Sequence, residues 1–531
     1  TRTAAHATEH VRIRPGTDIP VVWGMLWHIF QNGWEDKEFI KQRVYGMEEV
    51  RAEVAKWHPQ EVERVTGLPE AQLKRMAQTF ATQKPATLIW CMGATQKTVG
   101  TANVRAYSIL CLATGNVGKP GTGANIFRGH TNVQGATDLG LDVTTLPLYY
   151  GLVEGGWRHW ARVWDVPYEW LQSRFDEVPA TGGRKGRTRK ENMEAPGITS
   201  TRWFDAVTID KSQLDQPDNV RAMVAWGHAA NTVTRAPAMY EGADKLDLLV
   251  VIDPHPTTFA IMGNRRNNSY LLPACTQFET AGSVTCSNRS LQWREQVVKP
   301  IFESKQDLEI MYLLAKKLGF AEQLVKNIAV EDNCPVPEDV LREINRGGWS
   351  TGYSGQSPER LKAHMRNQHK FDLITLRAPK DDPEVGGDYY GLPWPCWGTP
   401  EMKHPGTHIL YNTDLHVKEG GGTFRARFGT ERNGATLLAE DSFSKGSDLT
   451  DGYPEFTFGV FKKLGWDKDL TADELATILK IGGEKPDTVS WATDLSGGIQ
   501  RVCLEHGVTP FGNGKARANA WNLPDPVPVH R

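Results

Sequence analysis

Apolar residues recur along this chain with two different periods, and the two periods alternate. Residues 68–80 place Leu73, Met76, Ala77 and Phe80 on one face at three- and four-residue spacing, the stripe of an amphipathic helix. A short apolar run at 86–90 reads as a buried strand, with 91–97 as its loop. Residues 101–113 predict an apolar helix ending at Gly115, because glycine takes the left-handed conformation that closes a helix. A second series follows, with strands predicted at 220–226, 245–252 and 269–273. Its helix is predicted over 306–319, with Asp307 near the start and Gly319 at the end. Helix, strand, loop and helix in rotation is the rhythm of a parallel sheet, so the expected class is α/β. Residues 141–215 read as a surface insertion, and the basic run at 182–190 as a solvated loop within it. Past residue 320 the periodicity fades into glycine, proline and aromatic residues, apart from a short helix near 471–479. The expected domains are 1–128, 129–320 with its insertion, and a loop-rich 321–531.

Composition narrows the classes. A chain of 531 residues is too long for one ordinary core. The net charge of -2, with both signs interspersed, argues against a nucleic-acid partner and leaves no polybasic patch for a membrane surface. No apolar run reaches the length of a membrane-spanning helix. The cysteines Cys91, Cys111, Cys275, Cys286, Cys334, Cys396 and Cys503 form no CxxC pair and no zinc or iron–sulfur spacing, so no metal ligand is expected in this stretch. The start at Thr1 and the proline-rich residues 524–531 read as the cut ends of a piece of a longer polypeptide.

The candidate chemistry lies in loops. Ligands of open parallel sheets bind beyond the carboxyl ends of the strands, where the loops 93–96, 227–231 and 253–258 fall. Residues 115–138 are crowded with glycine, whose backbone N–H groups can face an anion, and carry Arg128, whose planar fork suits a carboxylate. Asp18, Asp253 and Asp307 can accept a pair of N–H groups or a ribose hydroxyl; each alone reads equally as a helix cap or a strand-end turn.

Residues 127–138, FRGHTNVQGATD, resemble the Arg-Gly-[His/Gln]-x-Asn-[Ile/Val]-Gln-Gly signature of the molybdenum- or tungsten-dependent formate dehydrogenases, and the resemblance runs through essentially the whole chain. These belong to the oxidoreductases that bind two molybdopterin guanine dinucleotides. The resemblance implies Rossmann-like, doubly wound parallel sheets in two related domains, followed by a C-terminal barrel beyond Arg531. It implies that Arg128 is the substrate arginine, with His130 as a pocket or proton-relay candidate. It also implies cofactor contacts at Arg14, Gly16, Thr17 and Asp18; at Gly93, Thr95 and Gln96; and at Gly129, Asn132, Gln134 and Gly135. Further implied contacts are Gly227, Asn231, Asp253, Thr257, Thr258, Ser287, Arg289 and Asp307. Thr232 stands where relatives have proline, and Gly282 opens a stretch to Arg289 that looks like a strand of the family.

The implied reaction is formate oxidation to carbon dioxide, with electrons passed to an iron–sulfur chain. The alternatives are another molybdopterin oxidoreductase, acting on nitrate, a sulfur compound or an N-oxide, or a non-catalytic scaffold fragment of the fold. By the same resemblance a [4Fe–4S] cluster and the cysteine or selenocysteine metal ligand are expected upstream, so the isolated segment is expected to be inactive. The expected partners are an iron–sulfur electron-transfer subunit and a membrane cytochrome b subunit. The expected location is a periplasmic membrane complex, the alternative being a cytoplasmic NAD-linked one.

Overall fold

The structure, a computed structural model, describes residues 2–180, 185–228, 235–262, 264, 265, 267–349, 351–398, 402–412, 414–421, 431, 432, 435, 436, 456–508, 516–520 and 523–531. The chain divides into two compact units. One comprises Thr1–Thr131, Asp372–Lys380 and Gly387–Arg531; the other comprises Asn132–Phe371 and Asp381–Gly386.

The first unit is built on helix α1 (Asp18–Asn32), which is buried nearly all round, with Trp23, Leu26 and Ile29 at its centre. Gly33 closes it at φ 65°, returning its N–H to the Ile29 and Phe30 carbonyls. Helices α2 (Pro59–Thr66) and α3 (Glu70–Thr82) pack on α1. They approach at Gly24, where a Cβ would stand 2.7 Å from Leu73 Cδ2 and 3.0 Å from Val62, so a glycine is what lets the three axes close. The predicted stripe of α3 is in place: Leu73 and Ala77 are buried, and Met76 and Phe80 line the margin of the same core.

Strand β1 (Thr87–Trp90) leads through the one-turn helix α4 (Met92–Thr95) into α5 (Gly100–Ala113) and then β2 (Gly123–Ile126). The two strands are parallel, with Thr87 opposite Gly123 and Trp90 opposite Ile126. The expectation of a buried strand at 86–90 holds for one face alone. Leu88 and Trp90 turn inward, whereas Ile89 is 49% exposed, because the helices of this unit cover one side of the pair.

The second unit opens with α6 (Val133–Asp138), preceded by Asn132 at φ 62°. The stretch expected as a surface insertion carries a core of its own. Helix α7 (Glu154–Val163) gives it Trp157 and Ala161, packed with Trp164, Val166, Tyr168 and Met193, whereas Phe204 of α8 (Trp203–Thr208) is buried with Met239 and Ala243.

Strand β3 (Ala222–Trp226), helix α9 (Ala236–Lys245) and strands β4 (Leu248–Asp253) and β5 (Ser269–Pro273) follow. They form a three-stranded parallel sheet in the order β3-β4-β5. Alternation along β4 sends Leu249 and Val251 to the side of Met239 and Ala243 of α9. It sends Val250 and Ile252 to the other side, against Ile310. Strands β6 (Gly282–Thr285) and β7 (Leu291–Arg294) form an antiparallel hairpin, so the strand expected to run towards Arg289 ends at Thr285 and turns. Helix α10 (Asp307–Leu318), which carries Ile310, is followed by α11 (Pro337–Gly347) and α12 (Pro358–Arg366).

The region past 320 is therefore more helical than its weak periodicity predicts. Ala472–Gly482 is the helix expected near 471–479, but the other helices, such as Phe458–Leu464 and Gly498–Glu505, are too short to establish a period between their glycines and prolines. The proline-rich end is also not a free linker. Trp23 Nε1 donates to the Pro528 carbonyl at 3.2 Å and Arg105 to that of Asp525 at 2.7 Å. An extended proline-rich segment pairs none of its own carbonyls, which leaves them open to such donors. No helix among the described residues is long and apolar enough to cross a membrane.

Candidate functional site

In the first unit the carboxyl ends of β1 and β2 lie side by side. The Phe127 N–H donates to the Trp90 carbonyl at 2.9 Å, one rung past the last paired residues, so the chain leaves the sheet at Arg128. Arg128 is half-buried, and Gly129 and His130 are exposed. Beyond β1, Gly93, Thr95 and Gln96 are exposed on α4 and its following turn. That turn is fixed from behind by Gly100, where a Cβ would stand 2.0 Å from the Thr95 carbonyl oxygen, and by Asn103, whose amide donates to the Ala94 carbonyl at 2.9 Å.

Asp18 reaches the same loop. It opens α1 after a turn in which Gly16 takes φ +86° and the Thr17 hydroxyl donates to the Arg14 carbonyl at 2.7 Å. Its carboxylate accepts from Lys97 Nζ at 2.5 Å and from the Tyr107 hydroxyl at 2.9 Å. Burial, reinforced by the Asp18 charge, pushes the Tyr107 phenol far up, so it stays a donor. Arg14 is engaged elsewhere: its guanidinium donates to the Arg64 and Val65 carbonyls, where α2 ends, and its N–H to Thr66 O at 3.0 Å. That is the geometry of a cation satisfying helix C-terminal carbonyls.

In the second unit, Asn132, Gln134 and Gly135 enter a buried network. Asn132 Oδ1 accepts the Thr285 N–H at 2.9 Å, and a Cβ on Gly135 would stand 2.1 Å from that oxygen. Gln134 Nε2 and the Tyr149 hydroxyl each donate to Asp138 Oδ1 at 2.6 Å, and the Tyr353 hydroxyl donates to Asp138 Oδ2. Asp138 is fully buried. Burial first, then the Asp138 charge, push the Tyr353 phenol well above its ordinary value, which keeps it a donor.

The carboxyl end of the three-stranded sheet carries Gly227, Asp253 and Asp307. Gly227 takes φ +58° and donates its N–H to Ile252 O at 2.8 Å. Asp253 Oδ1 accepts the His255 N–H at 3.0 Å, an Asx turn. Asp307 Oδ1 accepts from Trp226 Nε1 at 2.6 Å. Alternation puts Asp253 on the α9 side, while Asp307 opens α10 on the other, so the two carboxylates flank the strand ends from opposite faces. Thr257 is half-buried and Thr258 exposed in the loop after β4. Ser287 and Arg289 occupy the turn of the β6–β7 hairpin, Arg289 at φ 72°. Asn231 and Thr232, like residues 182–184 of the basic run, lie outside the described residues.

Sequence reasoning missed Lys97, Tyr107, Tyr149 and Tyr353. The spacing of Gln134 and Asp138 by four residues carried a signal; the contact of Asp138 with Tyr353, 215 positions away, carried none. Among the described residues there is no cluster of histidine, cysteine and carboxylate side chains that could hold a metal ion.

Residues 1–317 match the model of the molybdopterin oxidoreductases, and the chain belongs to that family. It is 27% identical over 425 residues to the F420-dependent formate dehydrogenase subunit alpha of Methanocaldococcus jannaschii, covering 80% of this chain and 51% of the relative. It is 28% identical over 320 residues to formate dehydrogenase H of Escherichia coli, covering 60% and 40%. The chain thus spans about half the length of the curated relatives it matches. Among solved structures, acetylene hydratase from Pelobacter acetylenicus is similar at a TM-score of 0.44 and 21% identity, over 65% of this chain and 44% of that one.

Proposed function

We propose that this chain is the central part of the catalytic subunit of a molybdenum- or tungsten-dependent formate dehydrogenase, with Arg128 as the residue that binds formate. The observation that carries the reading is the position of Arg128, one residue past the last rung of a parallel pair and beside the exposed 93–96 loop. Carboxyl ends of parallel strands are where open sheets bind ligands. The names of the curated relatives support formate as the substrate.

The donor set fits a pterin bearing guanine nucleotides. Each Asp18 oxygen accepts one internal donor, Lys97 or Tyr107, which leaves a further acceptor position on each for the two N–H groups of a guanine edge. Gly93, Thr95 and Gln96 present exposed backbone, hydroxyl and amide groups next to it. Asp18 and the 93–96 loop would hold one dinucleotide, and Asp253, Thr257, Thr258 and Asp307 the other, in two related Rossmann-like units. When bound, the metal–pterin centre supplies the two-electron chemistry. The chain's own residues supply the rest. The Arg128 fork holds the formate carboxylate in one orientation and favours the charge distribution of the transition state. His130, exposed two residues on, would shape the pocket or take up the proton released as carbon dioxide forms. The [4Fe–4S] cluster, the iron–sulfur subunit, the membrane cytochrome b and a periplasmic location complete the proposal by resemblance.

The test is Arg128→Lys in the complete enzyme, which keeps the charge and removes the bidentate fork. Formate turnover should fall by about two orders of magnitude or more while cofactor content stays near the wild-type level. Unchanged turnover refutes the assignment.

A further inference from the structure

The carboxylate of Asp18 stands in a frame with more hydrogen-bonding capacity than the chain itself uses. Its two oxygens are held by different elements. The Tyr107 hydroxyl of α5 donates to Oδ1 at 2.9 Å, and Lys97 Nζ, in the turn between α4 and α5, donates to Oδ2 at 2.5 Å. All three residues lie in the first unit. Each support is itself fixed. The Tyr107 ring is buried and tilted against that of Trp90, at 5.5 Å between centres. The Lys97 N–H donates to the Thr95 carbonyl at 2.8 Å, and its carbonyl accepts the Gly100 N–H at 3.0 Å, so the side chain leaves from a closed turn. Yet the pair is open to a ligand: the Lys97 side chain is 28% exposed and that of Asp18 13%. An ammonium carries three N–H donors and each carboxylate oxygen two acceptor positions. Lys97 uses one donor, on Asp18, and has no other hydrogen-bond partner among the described residues.

The unused positions form a pattern. The two oxygens offer an acceptor each, and the ammonium 2.5 Å from the second offers a donor. The pairing edge of guanine presents the N2 amine and N1–H as donors and then O6 as an acceptor, which is the complement in the same order. Adenine and cytosine place an acceptor where guanine has N1–H, and hypoxanthine lacks the N2 amine.

We infer that Lys97 is a base-reading residue for the guanine nucleotide of the pterin cofactor, donating to O6 while Asp18 accepts from N1–H and the N2 amine. This rests on the function proposed above and adds a specificity-determining residue to it. Asp18 alone selects for the two donors; Lys97 selects for the oxygen beside them. The same ion pair joins the turn after α4 to the first turn of α1, so the carboxylate and the 93–96 loop are held together before any nucleotide arrives. A pyrophosphate oxygen is the rival partner for the ammonium. Phosphate lies at the far end of a nucleotide from its pairing edge, however, and the ammonium stands against the carboxylate.

The test uses the complete catalytic subunit purified without cofactor and measures nucleotide binding by calorimetry. The probes are GDP, which is the nucleotide part of the cofactor; IDP, which lacks the N2 amine; and 6-thio-GDP, which keeps both donors and replaces O6 by a poor acceptor. Asp18→Ala marks the site under test, because the GDP binding it removes is the binding that Asp18 and Lys97 share. At that site the wild type should prefer GDP to IDP and to 6-thio-GDP, each by about tenfold. Lys97→Met should bind GDP about tenfold more weakly and lose the preference over 6-thio-GDP, while still preferring GDP to IDP. Lys97→Arg keeps a donor and should restore the lost preference. Tyr107→Phe removes a support of Asp18 but leaves the O6 donor, so it should weaken GDP and 6-thio-GDP alike. A merely structural ion pair, or a phosphate contact, would make Lys97→Met weaken those two alike as well. That result, or a wild type indifferent to the thio substitution, overturns the inference, while a preference for GDP over IDP leaves the guanine reading of Asp18 standing. A wild type that binds neither GDP nor IDP or does not distinguish them, or an Asp18→Ala variant that binds GDP as the wild type does, overturns that reading and this inference with it.

Discussion

His159 makes the support of the Asp138 network sensitive to acid, and the size of the effect follows from its surroundings. The imidazole is fully buried in α7 and stacks on Tyr150 at 4.4 Å between ring centres. Its Nε2 faces the Gly347 carbonyl at 3.0 Å, at the end of α11, so Nε2 carries the proton. Nδ1 is buried with no hydrogen-bond partner among the described residues. A second proton would therefore sit on a desolvated nitrogen with nothing to accept it. Burial holds the pKa at about 4 against an ordinary 6.5, opposed by the Gly347 bond, with Arg162 adding a smaller push downward. The unfolded chain thus binds a proton that the folded chain refuses between those values. The stabilisation is fully present above pH 6.5 and is lost as pH falls towards 4, about 3 kcal/mol in all and about 2 kcal/mol between pH 7 and pH 5. Native-state hydrogen exchange over residues 154–163 and 337–347, corrected for intrinsic rate, reads that loss as a smaller opening free energy. His159→Gln offers an N–H to Gly347 and does not titrate. It should cost stability at every pH but remove about 2 kcal/mol of the difference between pH 7 and pH 5. Parallel curves for the variant and the wild type would refute the assignment of this proton to His159.

Two further substitutions test the packing that carries the candidate site. Gly24→Ala puts a methyl 2.7 Å from Leu73 Cδ2 in a closed three-helix contact and should cost about 1–3 kcal/mol, read as a lower urea midpoint with the slope unchanged. Gly100→Ala puts its methyl 2.0 Å from the Thr95 carbonyl oxygen, which is backbone and cannot rotate away. The 93–96 turn must then move, so bound pterin per protein should fall further than overall stability does; normal pterin content in a stable variant would show that the turn is not a cofactor contact.

How far the sequence revealed the molecule depends on the range of the interaction concerned. Strand β5 falls on the residues its composition marks out, and α3 and α10 begin within two residues of their predicted starts, because period, glycine and proline act locally. Burial was harder to read. Ile89 looks like its neighbours in the chain but faces outward, since what covers a strand is set by elements distant in sequence. Apart from Ala472–Gly482, the short helices past residue 320 escaped for the opposite reason: their apolar faces, such as Leu341 and Leu361, are completed by partners rather than by their own repeats.

The aspartates show the same division within the candidate site. Asp18, Asp253 and Asp307 look alike as residues at element boundaries, yet one accepts from a lysine and a tyrosine, one closes an Asx turn and one accepts from an indole. Asp138 was visible as the end of the arginine segment, and Gln134 four residues earlier hinted at a local bond. That its carboxylate is wholly buried and gathers Tyr149 and Tyr353 depends on the folding of more than two hundred intervening residues. A glycine-rich segment can name its arginine through residue type alone. Satisfying a buried carboxylate takes long-range donors, which is why the partners of Asp138 and not the residue itself had to come from the structure.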